Sequence, residues 1–181
     1  MALISLRDVD ISLDGELLFE TISNHSILHP ALDKYSLYQE TIDMFKVVLA
    51  KKLNYNIKLF KTIYFNNKFC GFIMSYDYKF NDCHIKILAC LSKYNWDILG
   101  ESLCITYLNI LFSYYNLRKV YVETCSINEE ETHFLEKFGF TKELNLQNYY
   151  MHNGNGVNKL YYSIGYDTFY KTYHSRVDSI I

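Results

Sequence analysis

Residues 83–115 read CHIKILACLSKYNWDILGESLCITYLNILFSYY. The first part, Cys83 to Leu91, is apolar and rich in β-formers and predicts a strand. Ser92 to Asp97 is a polar break, and the run from about 98 to 115 is apolar nearly all round, as in a helix buried on several sides. Downstream, Val120 to Thr124 predicts another strand, and residues 129–138 an amphipathic helix that Gly139 stops as a C′ residue. Strands over 140–150 and 157–164 follow, joined by His152 to Gly156, whose Asn-Gly pairs favour a hairpin turn. Upstream, Ile57–Phe65 and Lys68–Tyr76 form a hairpin about Asn66-Asn67. Before it, Ser36 with Gln39 three residues on is a capping-box signal for a helix over 37–53, whose Ile42, Phe45, Val48, Leu49 and Leu53 recur at helical spacing. Leu3 to Arg7 alternates as a first strand, and Asp14 can cap a short helix carrying Leu17, Leu18 and Ile22.

The order β-α-α-β-β-β-α-β-α-β-β requires an α/β (mixed α+β) architecture. Some strands are separated by helices and others joined by hairpins, so about seven strands make one twisted mixed sheet with helices on both faces. The chain has 181 residues, half of them hydrophobic, 21% charged, with seven Gly and one Pro. That composition excludes disordered, collagenous and disulfide-scaffold classes, and the length suits one domain, here expected over 1–165, with 166–181 as an aromatic segment and polar tail.

A formal charge of −2 with scattered Lys and Arg leaves no basic footprint for nucleic acid. Arg7, Asp8 and Asp10 interrupt the N-terminal region before an apolar run develops, so neither a signal peptide nor a membrane span is expected, and the location expected is cytoplasmic. Cysteines at 70, 83, 90, 104 and 125 include no CxxC pair and total five, which fits reduced, buried thiols better than bridges or a metal site.

Three local patterns narrow the function. LACLSKYNWDILGESL (88–103) places a strand, a turn containing the lone Gly100, and a helix in succession. VETCSIN (122–128) sets Glu123 on a strand and Asn128 after it, and Gly139-Phe140 begins eleven residues after Asn128. With the element order, these resemble the GNAT superfamily of acyl-CoA-dependent N-acetyltransferases, most nearly the branch that acetylates ribosomal-protein N-termini. The family turn is Q/R-x-x-G-x-G/A, and here Asp97 stands at its Q/R, Gly100 at its first glycine and Ser102 at its G/A. Glu101 adds a carboxylate beside the expected pyrophosphate. Asp97 and Asn128 also suit plain helix N-caps, Asn128 with Glu131 as a capping box, and Glu123 reads as outward-facing on its strand.

The resemblance implies a sheet splayed between its fourth and fifth strands, with the pantetheine arm of acetyl-CoA bonded along Leu88, Ala89, Cys90, Leu91 and Ser92 as another strand would be. It puts the pyrophosphate over Asp97, Ile98, Leu99, Gly100, Glu101 and Ser102, where helix N-terminal amides face an anion, with Asn128 nearby. It implies acetyl transfer from acetyl-CoA to a primary amine, in a possible homodimer. The family's acid tyrosine is Leu135 here and its fourth-strand glutamate is Ile87. Proton transfer then falls to Glu123, Cys90, His84, Tyr149 or Tyr150. Tyr149 is the preferred acid on the last hairpin, with Glu123 and Cys90 beside it as catalytic candidates. A domain of the same fold that binds acyl-CoA or a protein and has lost turnover is the alternative.

Overall fold

The computed structural model describes residues 4–24, 41–55, 57–89 and 96–177. Seven strands, β1 (Ile4–Asp8), β2 (Ile57–Phe65), β3 (Lys68–Lys79), β4 (Asp82–Ala89), β5 (Lys119–Cys125), β6 (Thr141–His152) and β7 (Asn155–Gly165), form one sheet in the order β1-β2-β3-β4-β5-β7-β6. The sheet is mixed, with β4 and β5 its parallel pair in the middle. The described helices are α1 (Ile11–Asn24), α2 (Ile42–Tyr55), α3 (Trp96–Tyr115), α4 (Glu129–Phe138) and α5 (Tyr166–Val177). The chain divides into two compact units, Met1–Asp77 with Ile85–Lys93, and Tyr78–His84 with Tyr94–Ile181.

In the first unit, α1 and α2 bury Leu18, Ile22, Phe45 and Leu49 against Phe60, Phe72, Met74 and Tyr76 of β2 and β3. The helix start expected at Asp14 lies earlier. Asp10 is the cap, its carboxylate accepting the Ser12 N–H at 2.8 Å. Asp14 is buried one turn inside, accepts the Asp10 N–H at 2.8 Å and pairs with Arg7, so its charge made it look like a cap when it serves as a strut to β1. Helix α2 starts from Thr41, whose carbonyl accepts the Phe45 N–H at 3.0 Å; Ser36 and Gln39 lie outside the described residues. Phe45 is fully buried in this cluster, and Phe45→Ala should cost about 3–5 kcal/mol in a denaturant titration, with an unchanged m-value.

In the second unit, β5 pairs antiparallel with β7, and β7 with β6. One face, carrying Val120, Val122, Thr124, Leu160, Tyr162 and Ile164, is buried. Helix α4 is tied to it through the Tyr162 hydroxyl, which donates to Glu136 at 2.9 Å, and through Thr124, which donates to Glu131. Gly139 ends α4 at φ 101°, in the left-handed region, as the sequence predicts. The 166–177 stretch, expected as an aromatic segment and tail, is helix α5. Its Phe169 meets Phe112 of α3 at 5.3 Å between centroids, and Tyr173 stacks on Phe138 at 4.5 Å. Strand β6 ends the sheet, is exposed for most of its length, and shifts register against β7 between Lys142 and Leu144 and between Leu146 and Tyr150.

Candidate active site

The other face of β5 and β7 is polar. Glu123 lies opposite Tyr161 and Cys125 opposite Lys159, so the period of two puts Tyr121, Glu123, Lys159 and Tyr161 on one side. His84 of β4 joins them. Its ring stacks on Tyr121 at 5.3 Å between centroids and meets Tyr161 edge-on at 6.4 Å.

Glu123 is only 3% exposed, which corrects its reading as an outward, solvated residue. Its strand does alternate, but the face it points to is covered by aromatic side chains. A buried carboxylate needs compensating partners. Oε1 stands 3.3 Å from His84 Nδ1, and Oε2 takes the Lys159 ammonium at 2.9 Å. Burial alone would raise the Glu123 pKa, but the hydrogen bonds from His84 and Lys159 and the lysine charge outweigh it and hold the carboxyl below its ordinary value. Lys159 is pulled down by burial and pushed up more strongly by the Tyr161 hydroxyl and Glu123, so its ammonium keeps its proton. Its nitrogen also lies 4.7 Å from the Tyr161 ring centroid and 5.1 Å from that of Tyr149, within cation–π range.

The two hairpin tyrosines part company here. Tyr149 is 54% exposed and only walls the Lys159 ammonium, whereas Tyr150 is half-buried, its hydroxyl pKa raised by burial. Alternation lets only one of two adjacent residues face inward, and Tyr149 is preferred on sequence for lying far enough before the turn to stay in the ladder. Asn148 at φ 51°, inside the register shift between Leu146 and Tyr150, resets that alternation.

Asn128 precedes α4, but its side chain caps nothing. With φ −87° and ψ 63° it is outside the extended conformation of a cap, and its amide instead donates to Thr124 Oγ1 at 3.2 Å. The expected capping box with Glu131 is therefore replaced by a chain in which Asn128 donates to Thr124 and Thr124 to Glu131.

For the coenzyme segment, Leu88 and Ala89 end β4, while Cys90, Leu91 and Ser92 lie outside the described residues. Asp97 and Ile98 belong to the first turn of α3; Leu99 and Gly100 are buried, and Glu101 and Ser102 half-buried. Cys70, Cys83, Cys104 and Cys125 are buried thiols, and burial pushes the Cys83 and Cys104 thiols well above their ordinary value. Lys159 is the functional candidate that sequence reasoning missed. Its signal was the alternation of Val157, Lys159 and Tyr161, legible only once the β5–β7 register is known.

No protein-family model matches the chain, and no curated protein matches it. Solved structures do. The spermidine/spermine N-acetyltransferase SpeG from Vibrio cholerae, in glutamate-to-glutamine mutant forms, superposes at a TM-score of 0.77 with 16% identity, covering 94% of this chain and 99% of that one. A phenylalanine-to-alanine mutant of the same enzyme gives 0.78 and 17%, with coverages of 91% and 96%, and a probable acetyltransferase gives 0.69 and 18%, with 91% and 93%. This chain therefore has the GNAT fold. The likeness runs to polyamine acetyltransferases and not to the ribosomal-protein branch that its motifs resemble.

Proposed function

We propose that the protein transfers an acetyl group from acetyl-CoA directly to a primary amine, of a small molecule or of a peptide N-terminus. The observation that carries this is the near-complete overlap of the fold with N-acetyltransferases, over 94% of this chain and 99% of the other. Coenzyme A runs along Leu88, Ala89, Cys90, Leu91 and Ser92, with its pyrophosphate over the α3 N-terminus from Asp97 to Ser102 and Asn128 alongside. Two features favour that ligand, while the Asp97 and Glu101 carboxylates oppose it by like charge. α3 is 20 residues long and offers its free N–H groups, and Gly100 removes a side chain from its second turn.

Once acetyl-CoA is bound, its thioester supplies an activated acetyl group with a good thiolate leaving group. The protein's part is to hold the amine in line, exclude water and move one proton. Glu123, Cys90 and the Tyr149–Tyr150 pair are the side chains proposed for this work, in a cytoplasmic enzyme. Spermidine, the substrate named for the structural neighbours, heads the acceptors to assay.

Calorimetric titration with acetyl-CoA, then free-thiol release across a panel of amines, tests the reading. Binding with turnover supports it. Binding without turnover on any amine moves the protein to the alternative, an acyl-CoA-binding domain, and no binding at millimolar ligand removes both. On the hairpin, Tyr150→Phe should lower kcat by about a hundredfold at unchanged acetyl-CoA affinity if its hydroxyl protonates the leaving thiolate, and Tyr149→Phe should change kcat little. The reverse ranking assigns the acid to Tyr149.

A further inference from the structure

We infer that Asn153, at the tip of the β6–β7 hairpin, is a site of self-modification. Its side-chain amide is lost by succinimide formation with the Gly154 nitrogen, and His152 carries the proton that the departing ammonia needs. The hairpin holds two Asn-Gly pairs, Asn153-Gly154 and Asn155-Gly156, and all four residues are exposed. Local sequence treats the pairs alike, because a glycine after asparagine leaves the backbone nitrogen unshielded by any side chain. Their surroundings differ. Asn153 and Gly154 are the two central residues of the turn, at φ 49° and 78°. The closing pair is His152 with Asn155, which leaves the Gly154 N–H outside the ladder. A Cβ at Gly154 would meet nothing within 4 Å, so the peptide plane has room to swing its nitrogen toward the Asn153 Cγ. At Asn155-Gly156 the same movement is obstructed. Gly156 is paired with Met151, and a Cβ built on it would overlap the Asn148 side chain. The Asn155 amide is also engaged, donating to the Asn153 carbonyl at 3.4 Å. The Asn153 amide nitrogen, by contrast, stands 3.2 Å from His152 Nε2, so a side chain able to give and take protons lies against the leaving nitrogen.

Water is the only co-reactant. The Gly154 nitrogen gives up its proton to solvent base, and its electron pair forms a C–N bond to the Asn153 Cγ. That carbon becomes tetrahedral, and the former amide nitrogen becomes an amine with an available electron pair. The His152 imidazolium donates its Nε2 proton to this amine. The Cγ–N bond then breaks with its electrons going to nitrogen, ammonia leaves, and His152 recovers a proton from solvent. Water opens the imide at either carbonyl, giving an aspartyl or an isoaspartyl residue. One amide and one water have become one carboxylate and one ammonium. The isoaspartyl product routes the main chain through an extra carbon, so a two-residue turn no longer fits its closing pair.

The test follows the intact protein during incubation at neutral pH, beside the same full chain unfolded in urea. Peptide mass spectrometry reads the one-dalton gain at each asparagine, and methylation by an isoaspartyl methyltransferase with S-adenosylmethionine reads the isoaspartyl product. In the folded protein Asn153 should convert at least about fivefold faster than Asn155, and in urea the two rates should converge to within about twofold. His152→Gln keeps a hydrogen-bonding side chain that cannot carry the proton; it should slow Asn153 by about three- to tenfold in the folded protein and leave Asn155 unchanged. Equal rates at the two sites in the folded protein, a faster Asn155, a preference that persists in urea, or a folded Asn153 rate untouched by His152→Gln each overturn the inference. A folded chain that keeps both amides while the unfolded chain loses them overturns it as well.

Discussion

Lys159→Met should lower the unfolding free energy by about 3 kcal/mol at neutral pH, the cost of leaving a buried carboxylate with one of its two partners gone. Both side chains are at most 10% exposed, so solvent screens little of this interaction. The pH dependence has a definite sign. Glu123 titrates below its ordinary 4.5 in the folded protein, so the stability it contributes is present above that value and is lost as the pH falls through the lower, folded one. Lys159 titrates above its ordinary 10.5, so its share is present below that value and fades only in more alkaline solution. In the variant, burial acts on Glu123 with the lysine no longer opposing it, and its carboxyl takes up a proton at higher pH. The stability deficit should therefore be widest between about pH 6 and pH 9 and should narrow in acid. A double variant, Glu123→Gln with Lys159→Met, removes both charges and should recover most of the loss. Equal instability of the single and double variants would show that the packing of Lys159 between Tyr149 and Tyr161, and not its charge, matters.

Gly100→Val should weaken acetyl-CoA binding by tenfold to a hundredfold, corresponding to about 1–3 kcal/mol for forcing an isopropyl group into a filled approach. Stability is measured separately, because it reports the room around the helix and not the ligand: glycine inside a helix costs about 1 kcal/mol relative to alanine, so a larger residue with room to fit would stabilise the protein. Gly100 is nevertheless buried in α3. A folded Gly100→Val protein that binds acetyl-CoA as wild type does would detach this glycine from the coenzyme site. Gly100→Ala serves as the graded control, with the smaller loss.

The hairpins and helix stops were legible in the sequence because each depends on a few adjacent residues. Asn66 and Asn67 adopt φ of 48° and 62°, and Asn153-Gly154 adopts 49° and 78°, as two-residue turns need. Gly139 occupies the left-handed C-terminal position for the same local reason. What escaped was set by distant partners or by a break in periodicity. The burial of Glu123 depends on His84 and Lys159, 39 residues before it and 36 after it. Tyr150 is the more buried of the hairpin tyrosines, and the irregularity at Asn148 that decides their facing has no signal in the local pattern. Helix α5 was legible and passed over: Tyr166, Phe169, Tyr170 and Tyr173 recur at helical spacing, with Asp167 in the first turn. Of the coenzyme segment, Asp97, Gly100 and Ser102 fall in the first two turns of α3.

Strand β6 closes the sheet with twelve residues, a length that would ordinarily invite a second polypeptide to add itself as the next strand. Its two register shifts break the row of outward N–H and C=O groups into short lengths, each twisted relative to the next. Lys142 and Glu143 set charges at the first of those breaks, paired across to Glu136 and Lys119. A stray chain would find only a few consecutive hydrogen bonds before losing step, so this edge resists runaway templating into fibrils. Deleting both Gln147 and Asn148, so that β6 and β7 advance by equal steps between Leu146 and Tyr150, should turn a quiescent border into a seed for aggregation.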